Sequence, residues 1–235
     1  MFLSISEQIK ATDTTFTFDK EESRHLIKVL RKTEGDTVHI TNGNGDFFET
    51  LIDIANEKKC TVSIQSHTFK ERNRPYYLHI AIAPTKLNDR YEWFLEKATE
   101  IGIDEITPII CKNSERKVIK ADRMKKIIHS ATKQSLQAYL PKFNEAVPFH
   151  EFLNNRTEEQ KFIAHCEDEQ NKNYLLDIAK PQDKILVLVG PEGDFNPKEI
   201  SKAIELGYKP VTLGDNRLRT ETAGIYISSI LTLLK

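Results

Sequence analysis

Two segments near the carboxyl end of the chain bring glycine, charged side chains and a helix start together at spacings that suit ligand binding. The first reads Val189-Gly190-Pro191-Glu192-Gly193-Asp194-Phe195-Asn196-Pro197-Lys198-Glu199. Asn196 suits a helix N-cap, Pro197 the first helical position and Glu199 the carboxylate position of a capping box, with Gly207 as the stop. Its glycines therefore fall in a strand-to-helix loop, where a ligand can come close to bare main-chain N–H and C=O groups. The second reads Leu213-Gly214-Asp215-Asn216-Arg217-Leu218-Arg219-Thr220-Glu221-Thr222-Ala223-Gly224. Here two arginines stand before an apolar helix through Tyr226, Ile230 and Leu234, with Thr220 or Thr222 as its cap, and such a helix start binds anions. Taken alone, the first loop is also what a tight turn needs, and the arginines of the second could bridge surface carboxylates. Neither loop is G-x-G-x-x-G or G-x-x-x-x-G-K-[ST], so no dinucleotide or triphosphate is implied.

The surrounding pattern says what must hold these loops. From Tyr77 onward, strand-like runs at Leu78–Ala83, Ile106–Ile110, Lys161–Cys166, Ile185–Val189 and Pro210–Leu213 alternate with helical ones. Tyr91, Phe94, Leu95, Ala98 and Ile101 share one helical face, and Met124, Ile127, Ile128 and Ala131 another. This alternation predicts βαβ units on a largely parallel sheet. The unbroken apolar run Ile185–Val189 predicts a central strand covered on both faces. The two loops are expected on neighbouring strands, at the carboxyl edge where open α/β sheets hold ligands.

Before this domain, Phe16 and Phe18, Thr37–Thr41 and Phe47–Ile54 alternate as short strands, and Asn42-Gly43-Asn44-Gly45-Asp46 is a hairpin signal. A helix over Ser23–Leu30 would carry Leu26, Val29 and Leu30 on one side. The expectation is a small β-barrel over residues 1–70 and an α/β domain over 76–235, joined by the charged, proline-ending stretch Lys70–Pro75.

Composition excludes several classes. With 235 residues, 39% hydrophobic and 29% charged, the chain is an ordinary globular one. The net charge of −1 leaves any nucleic-acid attraction to local patches. One such patch lies between Lys112 and Lys142, where nine Lys or Arg face only Glu115 and Asp122, an excess of seven positive charges. Cys60, Cys111 and Cys166 are widely spaced, which argues against a zinc site or a disulfide framework and fits a reducing compartment. No secretory h-region and no membrane-spanning run is apparent, so a cytoplasmic protein is expected.

The loop pair LVGPEGDFNPKEI and LGDNRLRTETA resembles the signature of the RsmE family, bacterial 16S rRNA (uridine-N3) methyltransferases of the SPOUT class. Supporting matches are Arg24-His25, Val29-Leu30-Arg31, Lys97-Ala98-Thr99-Glu100-Ile101-Gly102, Ile106-Thr107-Pro108 and Gln134-Ser135. The resemblance implies a PUA-like, RNA-binding β-barrel followed by an α/β domain with a SPOUT-type trefoil knot, a feature otherwise almost absent from proteins. It implies S-adenosylmethionine as methyl donor, bent against three loops with no metal. Matched here, the cofactor-binding positions are His165, Cys166 and Glu167; Leu188, Val189, Gly190, Pro191, Glu192 and Gly193; and Leu213, Gly214, Asn216, Leu218, Thr222 and Ala223. It further implies a homodimer through the knot and final helix, and 16S rRNA or the small ribosomal subunit as partner. The chain departs from the family pattern at Asp194, where a second glycine is common, and at Lys133-Gln134-Ser135-Leu136-Gln137, where Glu-Gln-Ser-x-Arg is common.

Methylating uridine at N3 needs loss of the ring proton and stabilisation of charge on the flanking carbonyl oxygens. Arg219 is the candidate for the second task, with Glu221 as a weaker candidate for base or orienting partner, since a carboxylate there also suits the helix dipole. Arg24, Arg31, Arg116 and Lys133 are candidates for RNA contact. Two rivals stand beside this reading. A nucleotide- or NAD-dependent enzyme would want glycines after the first α/β strand, which instead runs into Ala83-Pro84-Thr85-Lys86. A non-catalytic RNA-binding ribosome assembly factor could retain the same fold.

Overall fold

The computed structural model describes residues 1–72, 74–154, 156–167, 172–181 and 183–234. Asn73, in the expected linker, lies outside the described residues. The chain forms two compact units. One comprises Met1–Arg72 and Thr132–Leu140, and the other residues 73–131 and 141–235.

The first unit contains β1 (Leu3–Ile5), β2 (Thr15–Thr17), α1 (Lys20–Arg24), β3 (Thr37–Thr41), β4 (Asp46–Ile54) and β5 (Thr61–Phe69). They form a five-stranded sheet in the order β1-β3-β4-β5-β2. All pairs are antiparallel except β1 with β3. The hairpin expected at Asn42–Asp46 joins β3 to β4 and is closed by the Asn42 side chain, whose Oδ1 accepts from Asn44 N–H at 2.8 Å. Segment Thr132–Leu140 belongs to this unit through the same hairpin. Ala138 O accepts from Gly45 N–H at 3.0 Å and from the Thr41 hydroxyl at 2.9 Å, while Leu140 N–H donates to Gly43 O at 2.9 Å.

The helix expected over Ser23–Leu30 forms, but its face differs. After α1 the backbone widens into a π-helical turn over His25–Val29, with Leu30 N–H donating to His25 O at 3.0 Å. The wider turn uses one more residue and rotates those after it off the α-helical face. Leu26 is buried among Val38, Ile40, Phe48, Ile52 and Val62. Val29, expected beside it, is instead 63% exposed, and Leu30 39%.

The second unit follows the predicted alternation: β6 (Tyr77–Ile82), α2 (Asn88–Ile101), β7 (Glu105–Ile110), α3 (Ala121–Gln134), β8 (Lys142–Phe143), β9 (Val147–Pro148), α4 (Phe149–Phe152), β10 (Gln160–Ala164), β11 (Asn173–Tyr174), α5 (Leu175–Ile178), β12 (Lys184–Val189), α6 (Pro197–Glu205), β13 (Lys209–Thr212) and α7 (Thr220–Leu231). Its strands are parallel, in the order β11-β13-β10-β12-β6-β7-β8, with β9 pairing β7. In β12, Ile185 through Val189 are all buried, as a strand covered on both faces requires. Leu186 and Leu188 pack with Phe195, Ile200, Ala203 and Tyr208 around α6. Each leucine, isoleucine or phenylalanine among them contributes roughly 1.5–3 kcal/mol by burial. Helix α6 starts as read from the sequence: Asn196 and Glu199 form a capping box, with Pro197 at the first position. On α2 the expected face is buried at Tyr91, Phe94, Leu95 and Ala98, with Ile101 half-buried at the end. Among the described residues no helix is long and apolar enough to cross a membrane.

A polar cluster lies between the first strands of this sheet. The Glu105 carboxylate accepts from Tyr77 Oη at 2.9 Å, Asn144 Nδ2 at 2.6 Å and Lys142 Nζ at 3.0 Å. Burial pushes its pKa up, but nearby His79 and these three donors outweigh burial and bring it from 4.5 down to about 2.

Leu26→Ala should cost about 2–5 kcal/mol in urea unfolding, and Val29→Ala less than about 0.5 kcal/mol. Equal losses would contradict the π-turn. Because the folded pKa of Glu105 lies below its unfolded value, its contribution is complete above about pH 4.5 and is lost as pH falls towards about 2. Glu105→Gln should therefore flatten the fall in stability over that window; an unaltered acid limb would remove Glu105 from the account.

Candidate functional site

The two glycine-bearing loops do not follow adjacent strands. Strands β12 and β13, expected as neighbours, are separated by β10, which pairs with both. Burial explains the insertion, since Phe162 and Ile163 of β10 need cover on both sides as much as β12 does. In register, Ala164 lies opposite Val189 on one side and Val211 on the other, so β10 and β12 end level and β13 runs only one residue further, to Thr212. A third loop, after β10, thus emerges between the two read from the sequence.

These loops enclose a cleft of about 660 Å³, within the range of small-molecule sites. Of the residues expected to hold a cofactor, the cleft is lined by His165, Cys166, Val189, Gly190, Pro191, Glu192, Leu213, Gly214, Asn216, Leu218 and Ala223. Glu167, Leu188, Gly193 and Thr222 are outside its lining. Arg219 lines it and is exposed; Glu221 does not line it and is only 4% exposed. Arg217, one of the two arginines read as anion-binding, also lines the cleft, whereas Lys172, Asp194 and Thr220 were not expected in the wall. Asp194 and Thr220 fall inside the two glycine-bearing segments, so extending each loop to its neighbouring polar residues would have found them. Lys172 lies outside both, and only the fold brings it in.

The loops are fastened to one another rather than left free. The Thr220 hydroxyl donates to Gly190 O at 3.0 Å, joining the loop after β12 to the start of α7. This displaces the capping role expected of Thr220 or Thr222: the N-cap is Arg219, with no side-chain cap bond. Asp194 accepts from Cys166 N–H at 2.7 Å through Oδ2 and from Phe195 N–H at 2.8 Å through Oδ1. Asn113 Nδ2 donates to the carbonyls of Gly193 and Asp194, each at 3.1 Å. Lys172 Nζ donates to His165 O at 2.9 Å. At Gly190 an added Cβ would stand 3.1 Å from both the ring and the backbone nitrogen of Phe195, so a side chain there would be tight against Phe195. At Gly214 φ is +134°, a conformation in which side chains are strained.

Electrostatics distinguish the walls. Glu192 Oε1 accepts from Lys86 N–H at 2.9 Å. Arg116 donates to Thr85 O at 3.1 Å and to Lys86 O at 2.7 Å, so its guanidinium braces the loop after β6. Burial first, and then the negative charge of Asp194, push the Cys166 thiol above its ordinary 9.0, against smaller opposing effects of Arg217 and Lys172. The sulfur is a thiol at neutral pH and no activated nucleophile. Glu221 is buried at the start of α7, with its Oε1 3.8 Å from Arg90 Nε of α2.

The other expected RNA-contacting residues belong to the first unit. Arg24 and Arg31 are exposed, Arg31 with φ +57° just after the π-turn. Lys133 is engaged by Glu22, whose two oxygens each lie 2.9 Å from its Nζ.

Comparison with known proteins gives a consistent result. The family described as RNA methyltransferase domain matches residues 72–232, and that described as RNA methyltransferase PUA domain matches residues 18–65. The chain is 31% identical over 219 residues to ribosomal RNA small subunit methyltransferase E of Buchnera aphidicola subsp. Acyrthosiphon pisum, covering 89% of this chain and 85% of that one. It is 30% identical to the enzyme of the same name from Mesomycoplasma hyopneumoniae, covering 90% and 95%. Among solved structures, a probable rRNA-methyltransferase from Porphyromonas gingivalis superposes with a TM-score of 0.90 at 36% identity, covering 100% and 98%. A ribosomal RNA small subunit methyltransferase E from Neisseria gonorrhoeae, bound to S-adenosyl methionine, superposes with a TM-score of 0.87 at 26% identity, covering 100% and 98%.

The raised thiol pKa gives a direct check on the cleft wall. Alkylation of exposed Cys166 by iodoacetamide at pH 7.5 should run slower than that of a free cysteine peptide, because less thiolate is present. A rate at or above the peptide's would contradict this environment.

Proposed function

We infer that this chain, which belongs to the ribosomal RNA small subunit methyltransferase E family, transfers a methyl group from S-adenosylmethionine to N3 of a uridine in 16S ribosomal RNA. The observation that carries the reading is the convergence of three loops, after β10, β12 and β13, on one cleft of about 660 Å³. Such a space suits a donor of nucleoside and amino-acid parts. Glycine suits both loops, at 190 because a Cβ would press on Phe195 and at 214 because φ is +134°. When bound, the donor supplies a methyl group made electrophilic by a sulfonium.

The chain's own residues then have three tasks. Main-chain groups of the three loops hold the donor, which fixes the line of approach; alignment of this kind supplies much of the acceleration in a bimolecular displacement. Arg219, exposed on the cleft wall at the N-terminus of α7, stabilises negative charge on the uracil carbonyl oxygens as the N3 proton leaves. Glu221 is held out of the cleft beside Arg90, so the orienting role suits it, anchoring the first turn of α7 from which Arg219 projects. Basic residues of the first unit, Arg24 and Arg31, together with Arg116 and Lys133, serve RNA binding. The trefoil knot and homodimer of this class belong to the same reading, as does action in the cytoplasm, where ribosomes are assembled. Catalysis is favoured over a non-catalytic assembly role because the cleft is open and lined by the loop pair quoted from the sequence.

Arg219→Ala should lower methyl transfer about 100- to 1,000-fold while leaving calorimetric affinity for S-adenosylmethionine nearly unchanged. Undiminished turnover would remove Arg219 from the chemistry. Nucleoside mass spectrometry of rRNA from a strain lacking the gene should show one methylated uridine missing, and an unchanged profile would overturn the substrate assignment.

A further inference from the structure

We propose that Asp194 is a positioning residue for the methyl donor: its carboxylate clamps the loop after β10 to the loop after β12 and fixes the shape of the cleft between them. The proposal rests on the methyltransferase reading of that cleft. Backbone geometry comes first. Asp194 has φ +60°, in the left-handed region where glycine is at ease and aspartate is among the few tolerated alternatives. Glycine would suit this backbone better, so the side chain needs a reason to be there. Its contacts provide one.

One oxygen caps the next residue's N–H, at Phe195, and the other reaches across to the N–H of Cys166, 28 positions away in sequence. Bonds to an ionised acceptor are the stronger kind. The loop after β12 is a fixed post: Asp194 N–H donates to Pro191 O at 2.9 Å, Asn113 holds two of its carbonyls, and Thr220 holds Gly190. The loop after β10 has Asp194 and Lys172 as two of its tethers, and it forms the middle wall of the cleft. Releasing the carboxylate should therefore loosen the β10 loop and leave the post standing. The clamp also occupies the Cys166 N–H, which a donor would otherwise have to share.

The test uses the full chain with Asp194→Gly, whose backbone suits φ +60°, and Asp194→Asn, which tolerates that conformation and keeps one acceptor. In Asp194→Gly, amide hydrogen exchange at Cys166 should speed up about tenfold or more. The Kd for S-adenosylmethionine should rise about tenfold, the scale of a lost charge-assisted hydrogen bond. Asp194→Asn should fall between glycine and the parent on both measures. Unchanged exchange at Cys166 overturns the clamp. Faster exchange with unchanged donor affinity overturns the positioning role. A parent protein that neither binds the donor nor methylates RNA sinks the functional reading instead, and the exchange measurement still decides the clamp.

Discussion

Strand β10 lies between β12 and β13, and the site depends on that pairing. Parallel strands lie about 4.8 Å apart, so three of them in a row set three loops at one rim within reach of a single small molecule. The register puts Ala164 opposite both Val189 and Val211. A slip of one residue would turn every β10 side chain to the opposite face. Phe162 and Ile163, fully covered on their two faces, hold the strand against such a slip. The cleft is thus a consequence of core packing.

Within that rim the loops are stiffened by polar contacts between backbone and side chain. Thr220 to Gly190, Asn113 to Gly193 and Asp194, and Asp194 to Cys166 are all bonds of this sort. They tie the loops after β10 and β12 to each other and to the start of α7. Charge is divided along the wall, with Glu192, Asp194 and Asp215 against Lys172, Arg217 and Arg219. Both signs therefore stand close together on one wall.

Outside the cleft, several basic side chains are already engaged. Glu22 engages Lys133, so part of the basic excess between Lys112 and Lys142 is neutralised within the fold. Arg123 is paired with Glu92, and Arg116 braces backbone carbonyls. The exposed arginines at the π-turn, Arg24 and Arg31, stand with Val29 and Leu30 on the surface. The wide turn directs Val29 and Leu30 outward, while Leu26 stays in the core.

Much of this was legible in the residues. Periodicity gave the α/β alternation, the covered strand Ile185–Val189 and the capping box at Asn196, because these depend on neighbours within a few positions. The hairpin at Asn42–Asp46 was legible for the same reason. The paired loops, read with their family resemblance, located most of the cleft wall. What the sequence could not supply was strand order. Whether β10 inserts between β12 and β13 depends on which apolar faces find cover across more than twenty residues of chain, and no local pattern encodes it. Tertiary structure therefore decided that the loop at His165–Glu167 stands in the middle, that Lys172 joins the wall, that Thr220 fastens Gly190 in place of capping its helix, and that Glu221 turns away from the cleft. It also decided the outward turn of Val29 and Leu30, because a π-turn differs from an α-turn by a single hydrogen-bond partner that the apolar spacing does not record.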